Sequence, residues 1–297
     1  MKTKFLTILI ALGLLTAACK DDYLDTVPTS SVDAESAFAT TKNASAAING
    51  IYRAMVVRYL GFQTYFGHPA MMIIMDVMGE DVVFGNTSNQ GHFIEQRWVS
   101  HRSDVGTLPE FAYQLYYRII GNANIAITSI DKATGTQAER DQIKGEALGL
   151  RAFSYFNLVQ LYGKRYDAAT KPNAQLAVPL VLVPTTEGLP RNTVEEVYTQ
   201  INKDLADAAT LLTVARPYKS HINLSVIKGL QARVALVQQN WAAAVGFTTD
   251  ARKGYSPMSD VQYLDGFSDV TNPEWMWGFD HVEDQSEFFG AYHSYIS

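Results

Sequence analysis

Apolar residues recur at helical spacing along most of this chain, and they stop doing so in two long stretches. From Thr41 to Val57 the set Ala44, Ala47, Ile48, Ile51 and Met55 falls on one face of a helix. A second stripe runs through Tyr116, Ile120, Ala123, Ile127 and Ile130, starting near Phe111. The next helix, Ile143 to Gly163, has two apolar faces. Leu148, Ala152, Tyr155, Phe156, Val159 and Tyr162 form one, and Ile143, Ala147, Leu150 and Phe153 form the other. A helix apolar on two sides is sandwiched between neighbours. Gly163 is placed to end it. Thr193 and Glu196 fit a capping box. The helix behind them buries Val194, Val197, Tyr198, Ile201, Leu205, Ala208 and Leu212 and turns Glu195, Gln200, Lys203, Asp204 and Asp207 to water. Two more helices follow, near 225–239 and 242–251, joined by the turn Asn240-Trp241.

The pattern dissolves from Gly61 to Leu108, where glycines mix with Phe62, Tyr65, Phe66, Phe84, Phe93 and Trp98. A connection that long in a compact domain usually carries function. Residues 164–190 read as extended, with Pro172, Pro179, Pro184 and Pro190. Beyond Gly254 the helical signal fades again. Pairing 111–131 with 138–163 and 193–212 with 225–239 gives units of tetratricopeptide size, and Trp241-Ala242-Ala243-Ala244 opens like a further one. The expected class is therefore all-α: a tetratricopeptide-like helical repeat scaffold with long irregular aromatic-rich loops. An unrelated helical bundle is the other reading. Strands do not alternate with helices, which argues against Rossmann and barrel folds.

The N-terminus changes the picture. Met1-Lys2-Thr3-Lys4 precedes an apolar run, Phe5 to Ala18, and then Cys19, the chain's one cysteine. That run makes a helix about 21 Å long against about 30 Å of bilayer core, enough for a secretory signal but not for a span. Cysteine at the cut, after Thr16-Ala17-Ala18, is the pattern of a bacterial lipoprotein. Leucine is more usual where Thr16 stands, and an ordinary signal beside a free thiol is the alternative. The expected organisation is a signal peptide at 1–18, a lipidated tether at 19–36 and one helical domain at 37–297. With Cys19 acylated, no disulfide forms within the chain, and the core alone holds the fold. Loss of Lys2 and Lys4 moves the net charge from −6 to −8. So acidic a surface repels phosphate backbones, so nucleic acid is not an expected partner.

No catalytic motif stands out: there is no Gly-x-Ser-x-Gly, no phosphate-binding glycine loop and no His-Glu-x-x-His. Glu80-Asp81 is a carboxylate pair, but neighbours in sequence seldom face each other across a substrate. His281-Val282-Glu283-Asp284 reads as a solvated loop rather than a metal site. What remains is aromatic side chains in irregular segments. Rings stack on the apolar C–H faces of sugars, while amides and acids bond the hydroxyl rim. Trp98, Phe84 and Tyr65 are the first candidate group, near Asn86, Asn89 and Gln90; Phe289, Tyr292 and Tyr295 are the second. Each ring has the competing reading of a core residue beneath the loops. Trp275 and Trp277 alternate like a strand, and packing suits at least one of them. Arg151 and Asn124 sit in apolar helical stretches and are read as structural.

Several stretches together resemble the SusD/RagB family. Glu146-Ala147-Leu148-Gly149-Leu150-Arg151-Ala152-Phe153-Ser154-Tyr155-Phe156-Asn157-Leu158-Val159-Gln160-Leu161-Tyr162-Gly163 is similar to its signature helix. Tyr117 to Asn124, Val178 to Val181, Leu189 to Tyr198, Ala232-Arg233-Val234 with Asn240-Trp241, and Asn272-Pro273-Glu274 resemble further segments in order. Cys19-Lys20-Asp21-Asp22 resembles its lipoprotein start, with acids that mark export to the cell surface in Bacteroidetes. The resemblance implies an outer-membrane lipoprotein facing the cell exterior. Such a protein would capture an oligosaccharide or other nutrient and pass it to a TonB-dependent, SusC-like transporter. It implies no enzymatic activity, and the motifs give no reason to expect a cofactor or metal. Family chains are usually much longer, so the expectation is a chain lacking the C-terminal lobe, with apolar surface exposed in consequence. A protein-assembly scaffold without ligand binding and a surface glycoside hydrolase are the rival functions.

Overall fold

The computed structural model describes residues 33–79 and 93–279. Among them no β-strand forms, only three isolated bridges. The elements are α1 (Ala34–Ala37), α2 (Thr41–Ala54), α3 (His68–Met78), α4 (Phe93–Gln96), α5 (Thr107–Ser129), α6 (Gln137–Tyr162), α7 (Val194–Leu211), α8 (Leu224–Val237), α9 (Trp241–Ala251) and α10 (Asp260–Leu264). A one-turn 3-10 helix, Ser100–Arg102, leads into α5.

The architecture is all-α and tetratricopeptide-like, with α6 at its centre. Residues 145–159 of α6 are buried without a break, as two apolar faces require. One side takes α5 and the other takes α7, while α2 crosses both α5 and α6. The pairing differs from the expectation in one respect. Helix α8 packs mainly on α9 and only lightly on α7. Trp241, which opens α9, is exposed rather than inserted as a repeat signature would be.

Local chemistry fixes the helix ends. Thr193 and Glu196 form the expected capping box on α7, and Thr136 with Glu139 forms another on α6. Gly163 does end α6, but by close approach rather than a left-handed turn. Its φ is −100°, its N–H bonds the Val159 carbonyl, and a Cβ there would sit 2.6 Å from that oxygen. Helix α3 is a correction: it lies inside the stretch where periodicity is lost. Its sequence is apolar on nearly every side, so no stripe appears, and Pro69 is a first-turn proline rather than a loop residue. Gly67 precedes it at φ +75°, with a Cβ position 2.0 Å from the Met55 carbonyl oxygen, so only glycine fits.

Two buried polar networks tie the helices together. Arg151 bonds Asp204 through Nε and Nη2, at 2.8 and 2.7 Å, which buries a carboxylate that the helical pattern turns to water. It also donates to Asn124 Oδ1 at 2.8 Å, and Asn124 donates to the Val181 carbonyl. Tyr155 OH meets Val181 at both its N–H and its C=O. Helices α5, α6 and α7 and the extended strap around 176–182 therefore share one knot. In the second network, Glu146 accepts from Tyr52 OH at 2.7 Å and Gln142 Nε2 at 2.7 Å, and pairs with His221 Nδ1 at 2.8 Å. Arg216 and Lys219 reach the carbonyls of Met276 and Asn272, and Trp277 Nε1 donates to the Ser220 carbonyl. With its ring edge on Phe153, Trp277 is a packing residue. Trp275 instead lies parallel to the exposed Phe267.

Candidate functional site

At the end of the α5–α6 pair where α5 begins and α6 stops, the surface opens into a two-part groove. Its inner part, about 260 Å³, is floored by Met71, Ile74, Met75, Met78 and Leu108, with Gln160 and Leu161 from α6 on one side. The outer part, about 700 Å³, has Arg102, Asp104, Glu110 and Gln114 around it beside Tyr113. His101, Pro109 and Tyr162 belong to both parts and join them.

The aromatic rings here are held from below. Tyr162 OH donates to the Pro109 carbonyl at 2.5 Å, pinning the end of α6 to the start of α5. Tyr113 stands edge-to-face against Tyr162 at 5.7 Å and lies 4.3 Å from Tyr117, four residues on along the same helix face. Tyr117 OH donates to the Pro179 carbonyl of the strap. Burial pushes the Tyr117 and Tyr162 hydroxyls well above the usual phenol range, and neighbouring tyrosines add to it. They remain neutral donors at any ordinary pH. Tyr113 is 39 % exposed and lines the outer part. Gln114 and Glu110, hydrogen-bonded at 2.9 Å, stand one turn apart at its polar edge.

Trp98 meets this groove through His101. Its ring stands edge-to-face to the imidazole at 5.2 Å and is 51 % exposed, just outside the lining of the groove itself. Its φ of +58° is rare for a bulky residue. The segment that holds it is anchored by Glu95, which is buried. Burial raises the Glu95 carboxyl above the usual range, with its own backbone and the nearby Tyr65 and Ser100 hydroxyls opposing the rise. Tyr65 is a correction to the expected set. It is 5 % exposed, its ring lies flat on Phe111 at 4.6 Å, and its hydroxyl meets Thr107 Oγ1 at 3.0 Å. A turn returns the chain there, with Tyr59 N–H bonding the Tyr65 carbonyl, so the ring goes inward. Phe84, Phe289, Tyr292 and Cys19 lie outside the described residues. The sequence reading missed Tyr113 as a site residue and took Tyr162 for packing alone. The one available signal was the Tyr113–Tyr117 spacing, off the buried stripe of α5. Among the described residues no group of three or more His, Cys, Asp or Glu is placed to hold a metal ion. Nor is any of their helices long and apolar enough to cross a membrane.

The molecule is thus an all-α repeat scaffold with a groove at one end of its central helix pair where aromatic rings meet amide and acid side chains. Residues 22–236 match the SusD-like family described as starch-binding and associating with the outer membrane, and the chain belongs to that family. A SusD-like carbohydrate-binding protein from Bacteroides vulgatus shares the fold at 31 % identity with a TM-score of 0.76, over 84 % of this chain and 52 % of its own. A laminarin-binding SusD-like protein aligns at 20 % identity and a TM-score of 0.59, over 75 % of this chain and 46 % of its own, a likeness of fold alone. SusD-like protein P2 from Formosa agariphila is 29 % identical over 160 residues, which are 54 % of this chain and 30 % of that protein. The chain thus spans about half the length of the solved relatives it matches.

Proposed function

We propose that this protein captures oligosaccharide at the cell surface and hands it to a TonB-dependent outer-membrane transporter, binding without turnover. The observation that carries the reading is the outer groove, where Tyr113 and Tyr162 meet Arg102, Asp104, Glu110 and Gln114 within one concave surface. A pyranose offers C–H faces to such rings and hydroxyls to such polar groups. The family's description as starch-binding supports a glycan, and its association with the outer membrane supports the place. Acylation at Cys19 would supply the anchor, the segment before α1 the tether, and Trp98, beside His101, a second stacking face. Phe84, Phe289 and Tyr292 complete the proposed ligand-binding set.

The test is binding by the purified protein to a panel of soluble glucans, xylans and mannans, followed by calorimetry on whichever binds. Micromolar to millimolar binding without release of reducing ends supports the reading. Release of reducing ends would make it a hydrolase. Stable capture of a partner protein with no affinity for any glycan would make it an assembly scaffold.

A further inference from the structure

Sugar hydroxyls are neutral, whereas uronic acids carry a carboxylate, and the charges around the groove separate the two kinds of glycan. No Asp, Glu, Lys or Arg lines the inner part. The outer part has Arg102, Asp104 and Glu110, and no lysine. All three side chains belong to exposed residues, and none forms a salt bridge among the described residues. Glu110 accepts from Gln114 Nε2 at 2.9 Å, but an amide leaves its charge in place. Arg102 Nε donates to His101 Nε2 at 3.3 Å, and an imidazole accepting there adds no charge of its own. Two anions therefore stand against one cation. Coulomb forces reach across a groove of this size, so these groups act on a bound charge without touching it.

The helix ends do not reverse that balance. The groove lies where α5 begins and α6 stops, so the positive end of one helix dipole meets the negative end of the other. Glu110 occupies the first turn of α5, where an acid offsets the positive end. The whole chain, at −6, adds a field of the same sign at longer range. A carboxylate brought to Arg102 meets two like charges around the same space of about 700 Å³. We propose that the groove selects neutral oligosaccharides against those bearing carboxylates, with Asp104 and Glu110 as the discriminating residues; this rests on the glycan-binding reading and specifies its ligand class.

The test uses the whole purified protein and three forms of one gluco- or manno-oligosaccharide that it binds. The first is the parent, the second has a primary hydroxyl oxidised to the carboxylate, and the third is the methyl ester of that acid. The ester keeps the shape and removes the charge. At about 10 mM salt, where screening is weak, the carboxylate should bind at least about threefold more weakly than the ester. At about 0.5 M salt the two should converge. In an Asp104→Asn/Glu110→Gln double variant, checked for an unchanged melting temperature, the ester-to-carboxylate ratio should fall toward one or below. In Arg102→Gln it should grow. Carboxylate binding as tight as that of the ester in the wild type overturns the proposal and leaves the glycan reading standing. A ratio that the double variant and salt both leave untouched overturns it too, since the discrimination then lies elsewhere. Binding of no oligosaccharide in any form removes both readings.

Discussion

Replacing Arg151 with alanine tests the claim that the signature helix is built for structure and not for the ligand. The wild-type guanidinium holds Asp204 by two bonds of 2.8 and 2.7 Å, with the carboxylate 1 % and the arginine 6 % exposed at the side chain. Alanine leaves Asp204 in place with Gln200 Nε2 as its remaining neighbour at 2.7 Å. Burial already pushes the Asp204 carboxyl upward, with the Arg151 bonds opposing it. Without the cation that opposition disappears. Asn124 Oδ1 and the Leu182 carbonyl lose a donor at the same time. Breaking a buried pair from one side costs about 3–5 kcal/mol. At about 2–4 °C per kcal/mol for a domain of this size, the melting temperature should fall by about 6–20 °C. Scanning calorimetry measures it, with glycan affinity determined well below the transition. Affinity should stay within about twofold, since Arg151 lies in the helix interior. A shift under about 2 °C would refute the structural account, and so would intact melting with abolished binding.

Other expectations follow from single features. His68 is held neutral, its pKa lowered to about 4 by burial first and Arg233 second, with Nδ1 bonded to Tyr116 OH at 3.0 Å. Because the folded value lies below the unfolded one, this stability is present above about pH 6.5 and lost as pH falls toward 4, by about 3 kcal/mol. Urea melts at pH 6.5 and 4.5 should show about 2 kcal/mol of that loss in the wild type and less of it in His68→Gln. Trp98→Ala should weaken glycan binding about tenfold with melting nearly unchanged, because the ring is half exposed and stands edge-on to His101; a large fall in melting temperature would make it a core residue. Tyr65→Ala should do the reverse, lowering stability by about 3–5 kcal/mol as a buried aromatic does. Cys19→Ala should abolish palmitate labelling and membrane fractionation; a variant that still labels contradicts the anchor assignment.

The scaffold was legible because its signals are local. Ala44, Ile48 and Ile51 on α2, the two faces of α6, and the Thr193–Glu196 box each declare themselves within a few turns, and each is where the pattern puts it. Helix α3 was not legible, since Ala70, Met71, Ile73, Ile74 and Val77 are buried while Met72 and Met75 are exposed, and no polar face marks the difference. Trp98 could be picked out because nothing helical asked for a ring there. Tyr65 misled for the same reason: an irregular segment can fold its ring inward, and the turn that does so depends on contacts with Phe111 far along the chain. The groove itself was hidden. Tyr113 and Tyr162 are 49 positions apart and meet because α5 and α6 run antiparallel, while His101 arrives on a separate one-turn helix. No local pattern contains that juxtaposition.

The central claim is that a sugar ring rests on Tyr113 in the groove between the start of α5 and the end of α6. A crystal structure of the protein with an oligosaccharide that it binds in solution tests this most directly. The account predicts a pyranose stacked on Tyr113, with hydroxyls within hydrogen-bond distance of Arg102, Asp104, Glu110 or Gln114. A sugar seated elsewhere, such as on the exposed Phe267 beside Trp275 with the groove vacant, would contradict it.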